Sequence, residues 1–343
     1  NFINDGTCHI NNTDAAGGTF VHTIDFKRNF LNNGTFSGAL DFQSGNLTAV
    51  AVNVSFTSST QSQSISVTGG SVAMQNMSIN NSFGTVTTGS TGFTVNGNWT
   101  VASNLTLGSG AITLSGTLTK TGGTLDATTN SSTLIISGTG SKSFTINASQ
   151  TMNNITLNKS SGSWTVNGGA FSLSINGTFT RTAGPLAVNG GASFRYTSSG
   201  SLTYNGSSLT SGIEWPTSVS DAPKVVKFAP SSSATYTLNT SSLPVLTGGA
   251  VIVDGSTANP TVSGSGSIAY GSGAGLVYTG NTAHTVGLEW TASQSIDSVL
   301  VNNSAGITIA SGSRYVNKVL TLTAGELKQP TAGDSLYLGG SLV

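Results

Sequence analysis

Two short strings combine residue types that could do chemistry, and they do so twice: Gly212-Ile213-Glu214-Trp215 and Gly287-Leu288-Glu289-Trp290, at a shift of 75 positions. A carboxylate beside an indole suits a sugar platform, with the ring stacked on a pyranose and the carboxylate accepting its hydroxyls. The same pair suits an anchor at a module boundary, with Trp on the core and Glu capping a turn. Recurrence at equivalent places favours the anchor, because repeat motifs recur for reasons of stacking. Glu214, Trp215, Glu289 and Trp290 are therefore candidate glycan contacts or structural anchors.

The rest of the chemically able set is sparse. Asp and Glu total 12, with no Asp-x-Asp pair among them. Enzymes that cut polysaccharides on β-helical scaffolds need two or three carboxylates converging on one groove. Catalysis of that kind is the lesser alternative, and the chain is expected not to be an enzyme. Asp5, Cys8, His9 and His22 lie close in sequence, but their spacing matches no zinc pattern. Cys8 takes the place of Phe36 in a matched string, which points it inward as a small, unreactive hydrophobe. His284 lies in the turn-like stretch Asn281-Thr282-Ala283-His284 with no acidic or nucleophilic neighbour, so its side chain is expected in solvent. No residue is assigned a catalytic, cofactor-binding or metal-binding role. Thr-x-Thr strings such as Thr85-Val86-Thr87 and Thr178-Phe179-Thr180 could form an ice-binding array. They do not recur at one coil position, however, and read as solvent-facing strand, where branched Thr is favoured.

The elements that must position these residues are strands. Apolar and small polar residues alternate in Val52-Asn53-Val54-Ser55-Phe56, Phe171-Ser172-Leu173-Ser174-Ile175 and Tyr236-Thr237-Leu238, the period of a half-buried strand. Asn96-Gly97, Asn167-Gly168, Asn176-Gly177 and Asn205-Gly206 mark turns, where positive φ is tolerated. Charged residues make up only 7% of the chain and cancel to a net charge of zero, while 36% is apolar and Gly numbers 45. Disorder needs the opposite combination. With no basic run there is no footprint for nucleic acid, and no apolar run reaches the roughly 18 residues of a membrane span. A single cysteine rules out an internal disulfide framework.

Internal repetition organises these strands. Phe194-Arg195-Tyr196, Leu202-Thr203-Tyr204 and Val245-Leu246-Thr247 recur as Ile268-Ala269-Tyr270, Leu276-Val277-Tyr278 and Val319-Leu320-Thr321, each shifted by 74. Phe2-Ile3-Asn4-Asp5-Gly6-Thr7-Cys8 matches Phe30-Leu31-Asn32-Asn33-Gly34-Thr35-Phe36 at a shift of 28. A solenoid coil takes roughly 20 to 30 residues, so a module set by the longer shift holds about three. The reading is N-terminal coils over 1–45 and modules over 46–123, 124–184, 185–258 and 259–343. The fold expected is an all-β parallel solenoid; tandem antiparallel β-sandwiches are the alternative.

The recurring strings Ile79-Asn80-Asn81-Ser82, Val301-Asn302-Asn303-Ser304 and Leu320-Thr321-Leu322-Thr323-Ala324-Gly325-Glu326-Leu327 resemble the β-strand repeat proteins exported by Gram-negative bacteria. More distantly they resemble filamentous-haemagglutinin-like adhesins. The resemblance implies a secreted, cell-surface location and a role in adhesion or matrix building. Strand alternation near both ends suggests uncapped coils. The expected partners are therefore copies of the chain or further repeats of a longer one, together with surface glycans.

Overall fold

The computed structural model describes residues 2–4, 22–32, 39–42, 52–69, 71–240, 242–329 and 332–343. Asp5, Cys8, His9 and Asp14 lie outside them, so the inward-cysteine expectation and most of the candidate metal cluster fall on undescribed residues. Every described strand pairing is parallel, as a solenoid requires, and the antiparallel sandwich alternative is thereby overturned. Period-two alternation cannot separate the two folds; the length of chain spent between paired strands does. Antiparallel neighbours can be joined by a tight hairpin, whereas here a whole coil intervenes.

Contacts divide the chain into two compact units. The first comprises residues 1–174 and 184–193, and three walls of parallel strands line it. One wall runs from Phe2–Asn4 and Phe30–Asn32 to Leu105–Thr106 and Leu125–Asp126. The second carries Ala111–Leu114, Thr133–Ile136 and Asn154–Asn158, and the third carries Trp99–Val101, Leu118–Lys120, Lys142–Thr145 and Trp164–Asn167. Phe2 pairs with Phe30, so the N-terminal echo is one coil laid on the next.

Inward positions form ladders. Ile112, Leu134 and Ile155 stack in register and are at most 1% exposed, while Thr113, Ile135 and Thr156 between them face outward. Each fully buried rung contributes about 1.5–3 kcal/mol of apolar transfer. Coil length is elastic. Trp99 stacks on Leu118 and Leu118 on Phe144, and the second of these coils is clearly the longer.

The second unit comprises residues 175–183 and 194–343. Its long wall runs through Thr178–Ala183, Ser201–Tyr204, Val225–Phe228, Ala250–Gly255, Gly275–Gly280, Ser295–Asn303 and Arg314–Ala324 to Leu336–Leu338. Leu202, Val226, Val251 and Leu276 form one ladder, each 0% exposed, and the coils between them are nearly equal in length. The repeating module is thus three coils, and Leu202 and Leu276 are equivalent inward positions. The third marker of the repeat does not hold. Val245 lies on a separate short wall beside Tyr270, whereas Val319 pairs with Ser298 on the long wall. The coils that carry the ladder from Leu276 to Val299 and on to Leu320 are shorter than those before, so a constant shift cannot persist.

The turn glycines act differently from expectation at two places. Gly97 and Gly206 are not in the positive-φ region. They are needed because a Cβ on Gly206 would sit 1.8 Å from the Thr182 carbonyl oxygen, and one on Gly97 would sit 2.4 Å from that of Gln75. These turns are stacked corners of coils rather than hairpins, and backbone packs on backbone there. Among the described residues, no helix is long and apolar enough to cross a membrane.

Candidate functional site

Both Glu-Trp strings lie in the second unit, each at a corner where the chain leaves a short strand. In the first, Tyr204 on the long wall and the Gly212 turn converge on Glu214, which is 0% exposed. Arg181 Nη1 donates to Glu214 Oε1 at 2.5 Å and to the Thr210 carbonyl at 2.6 Å. The Tyr204 hydroxyl and the Gly212 N–H each donate to the same Oε1 at 2.9 Å. The Tyr196 hydroxyl donates to the Glu214 carbonyl at 2.6 Å. Trp215 is 1% exposed and donates its indole N–H to the Pro244 carbonyl at 2.8 Å.

The second corner repeats the frame. The Gly287 N–H donates to Glu289, and the Tyr278 hydroxyl donates to Oε1 at 3.2 Å. The Tyr270 hydroxyl donates to the Glu289 carbonyl at 2.7 Å. Tyr196 and Tyr204 thus correspond to Tyr270 and Tyr278, as the repeat predicts. The basic partner differs. His284 Nε2 lies 2.7 Å from Glu289 Oε1, and its Nδ1 lies 3.1 Å from Asn259 Oδ1. Trp290 is fully buried and donates to the Gln294 carbonyl at 3.3 Å.

Burial sets the electrostatics of both corners. It pushes all four tyrosine hydroxyls well above the ordinary phenol range, and the adjacent glutamate reinforces the shift. They therefore remain donors. A sugar platform requires an indole face open to solvent, and Trp215 and Trp290 present none. The geometry is that of an anchor: a turn carboxylate drawn inward, met by a basic side chain, and tied by tyrosines to its own coil and the one before.

His284 departs from the sequence expectation, for it is 3% exposed and paired with Glu289. The turn after Val286 folds the carboxylate back onto the ring. The signal was in the alternation, since His284 and Val286 are both buried and Thr285 between them is exposed. Arg181 went unnoticed for a related reason. It shares its parity with buried Phe179, but its glutamate lies more than a full coil further along the chain.

Two further polar devices recur. Asn81 Nδ2 donates to the Gln61 carbonyl while Oδ1 accepts the N–H groups of Phe83 and Gly84. Asn303 repeats the arrangement with Thr282 and Ala305. The Asn-Asn-Ser strings are thus coil clips. In the first unit, Lys120 and Lys159 lie inward, with Lys120 Nζ 2.9 Å from Asn147 Oδ1 and Lys159 Nζ 3.4 Å from the Ser137 carbonyl. Burial holds both below the ordinary lysine range. Among the described residues, no three of His, Cys, Asp or Glu gather as a metal set would. Comparison with known proteins finds no family model, curated protein or solved structure that matches the chain.

Proposed function

We propose that the chain is a structural segment of an extracellular fibre or surface adhesin, built to stack coil on coil with copies of itself or with further repeats of a longer chain. The observation that supports this reading is the run of parallel strands stacked in register along the long wall of the second unit, from Thr178–Ala183 to Arg314–Ala324, each coil resting on the one before. Its inward positions form a continuous apolar ladder, Leu202, Val226, Val251 and Leu276, that a further coil of the same parity would extend. A parallel strand edge is a template for another coil, and a net charge of zero adds no repulsion against it.

The sealed anchors support a mechanical role over a catalytic one. Glu214 and Glu289 are inaccessible to a polymer substrate, while the outward positions are mostly hydroxyls and amides. The test is electron microscopy and fibre diffraction of the purified chain, with immunogold labelling of intact source cells. The expected result is thin filaments with a meridional repeat of ~4.8 Å and label on unpermeabilised surfaces. A chain that stays monomeric at high concentration, or label seen only after permeabilisation, overturns the reading.

A further inference from the structure

The two anchors share a frame but not a counter-ion, and this difference has a chemical consequence. A guanidinium keeps its charge across the pH range that proteins meet, and Glu214 has one in contact. Glu289 has only an imidazole as its basic partner in contact. We propose that His284 makes the Glu289 corner a proton-operated latch, closed when the ring is protonated and loosened when it is neutral, while the Glu214 corner is its permanently closed counterpart.

The argument rests on what each ring nitrogen faces. Nε2 faces a carboxylate oxygen and Nδ1 faces the Asn259 amide oxygen, both acceptors. Only imidazolium donates at both nitrogens; a neutral ring donates at one and must accept at the other. Losing the proton therefore sets two acceptors against each other until the Asn259 amide turns its NH2 toward the ring. It also leaves Glu289, 0% exposed, without a counter-charge in contact.

The surroundings offer no equal substitute. On Gly275–Gly280, Tyr278 lies with its ring 5.4 Å from that of His284, and on Ile268–Tyr270, Tyr270 reaches the Glu289 carbonyl. Both phenols stay protonated. On Arg314–Ala324, Arg314 feels the Glu289 charge through space but forms no ion pair with it. Its Nε is directed to the Trp290 carbonyl at 2.7 Å and its Nη1 to the Gly312 carbonyl at 2.7 Å. Asp334, beyond it, accepts from the Gly312 N–H. Ile307–Thr308, paired with His284–Thr285, carries nothing titratable. Stability from the pair is therefore present while the ring holds its proton and is lost as rising pH removes it.

The other two histidines, His9 and His22, lie outside residues 201–215 and 275–290. Hydrogen exchange of the whole chain at pH values of about 5.5 and 8.5, on either side of ordinary imidazole titration and corrected for intrinsic rates, separates the corners. Protection over residues 275–290 should fall about tenfold at the higher pH, while that over 201–215 stays within about twofold. In His284→Gln the fall over 275–290 should vanish. Should that variant not fold, the wild-type contrast between the two corners decides alone. Equal behaviour of both corners, or a fall that survives His284→Gln, overturns the proposal.

Discussion

The Glu214 and Glu289 corners form a natural pair: three coils apart, with the same turn, equivalent tyrosines and the same buried indole, but met by basic side chains from different places. Arg181 reaches its glutamate from the long wall, more than a coil earlier in the chain; His284 reaches its own from the short strand just before the turn. The turn, with Gly212 or Gly287 followed by Glu, fixes where the carboxylate goes. It does not fix what balances it. A repeat of this kind copies a backbone geometry and leaves each copy to find its own electrostatic solution.

The harshest way to break the comparison is Arg181→Ala. Removing one partner of a sealed ion pair should cost about 3–5 kcal/mol, and Arg181→Met with Glu214→Gln together should cost less than Arg181→Ala alone. Urea unfolding of the three proteins tests the ordering. Leu202→Ala and Leu276→Ala probe the shared part of the frame, the ladder beneath each corner. Each should lose about 2–5 kcal/mol. Losses below about 0.5 kcal/mol at both, far under the usual cost of such a truncation, would show that the register is misassigned.

Finer resolution comes from the tyrosines. Tyr204→Phe and Tyr278→Phe each delete a hydroxyl that donates to a carboxylate, at an expected cost of about 1.5–3 kcal/mol. Tyr204 should lie at the upper end, because its bond is 2.9 Å against 3.2 Å. Thermal unfolding of the two variants under mildly acidic conditions measures the difference.

The smallest effect belongs to Asp297, in module 259–343. Asp297 is held down at about 2 by hydrogen bonds from Lys318, Asn317 and the Gly273 N–H. The strand register places Lys224 at the equivalent position in module 185–258, a cation that cannot accept these donors. The folded carboxyl lies below its ordinary value of 3.8, so its contribution is full above that value and fades as pH falls toward about 2. Carboxyl NMR should show a midpoint near 2 that climbs with added salt. A midpoint already at the ordinary value would remove the clip.

Much of the fold was legible in the residues themselves. Leu202 and Leu276 fall on one ladder because the alternation fixes parity and the repeat fixes coil number. Phe2 and Phe30 pair as their matched strings imply. The Val245 and Val319 match misled, because coils of unequal length cannot hold one shift throughout. The site was half legible. Glycine, glutamate and tryptophan repeat and can be seen; the counter-ions do not repeat and arrive from different parts of the coil. Parity was the usable signal for them, since Arg181 alternates with Phe179, His284 with Val286 and Arg314 with Val316, and a charged group on an inward position requires a buried partner.

The elastic coil length bears on how such a chain can change over time. Each coil rests only on those directly before and after it, so a lengthened corner or an exchanged counter-ion is felt by two neighbours and no further. A harmful change is diluted, and a harmless one spreads no constraint. Under that rule sequence can wander coil by coil while the ladders stay aligned, until adjacent copies share little beyond the parity of their strands and the glycines at their corners.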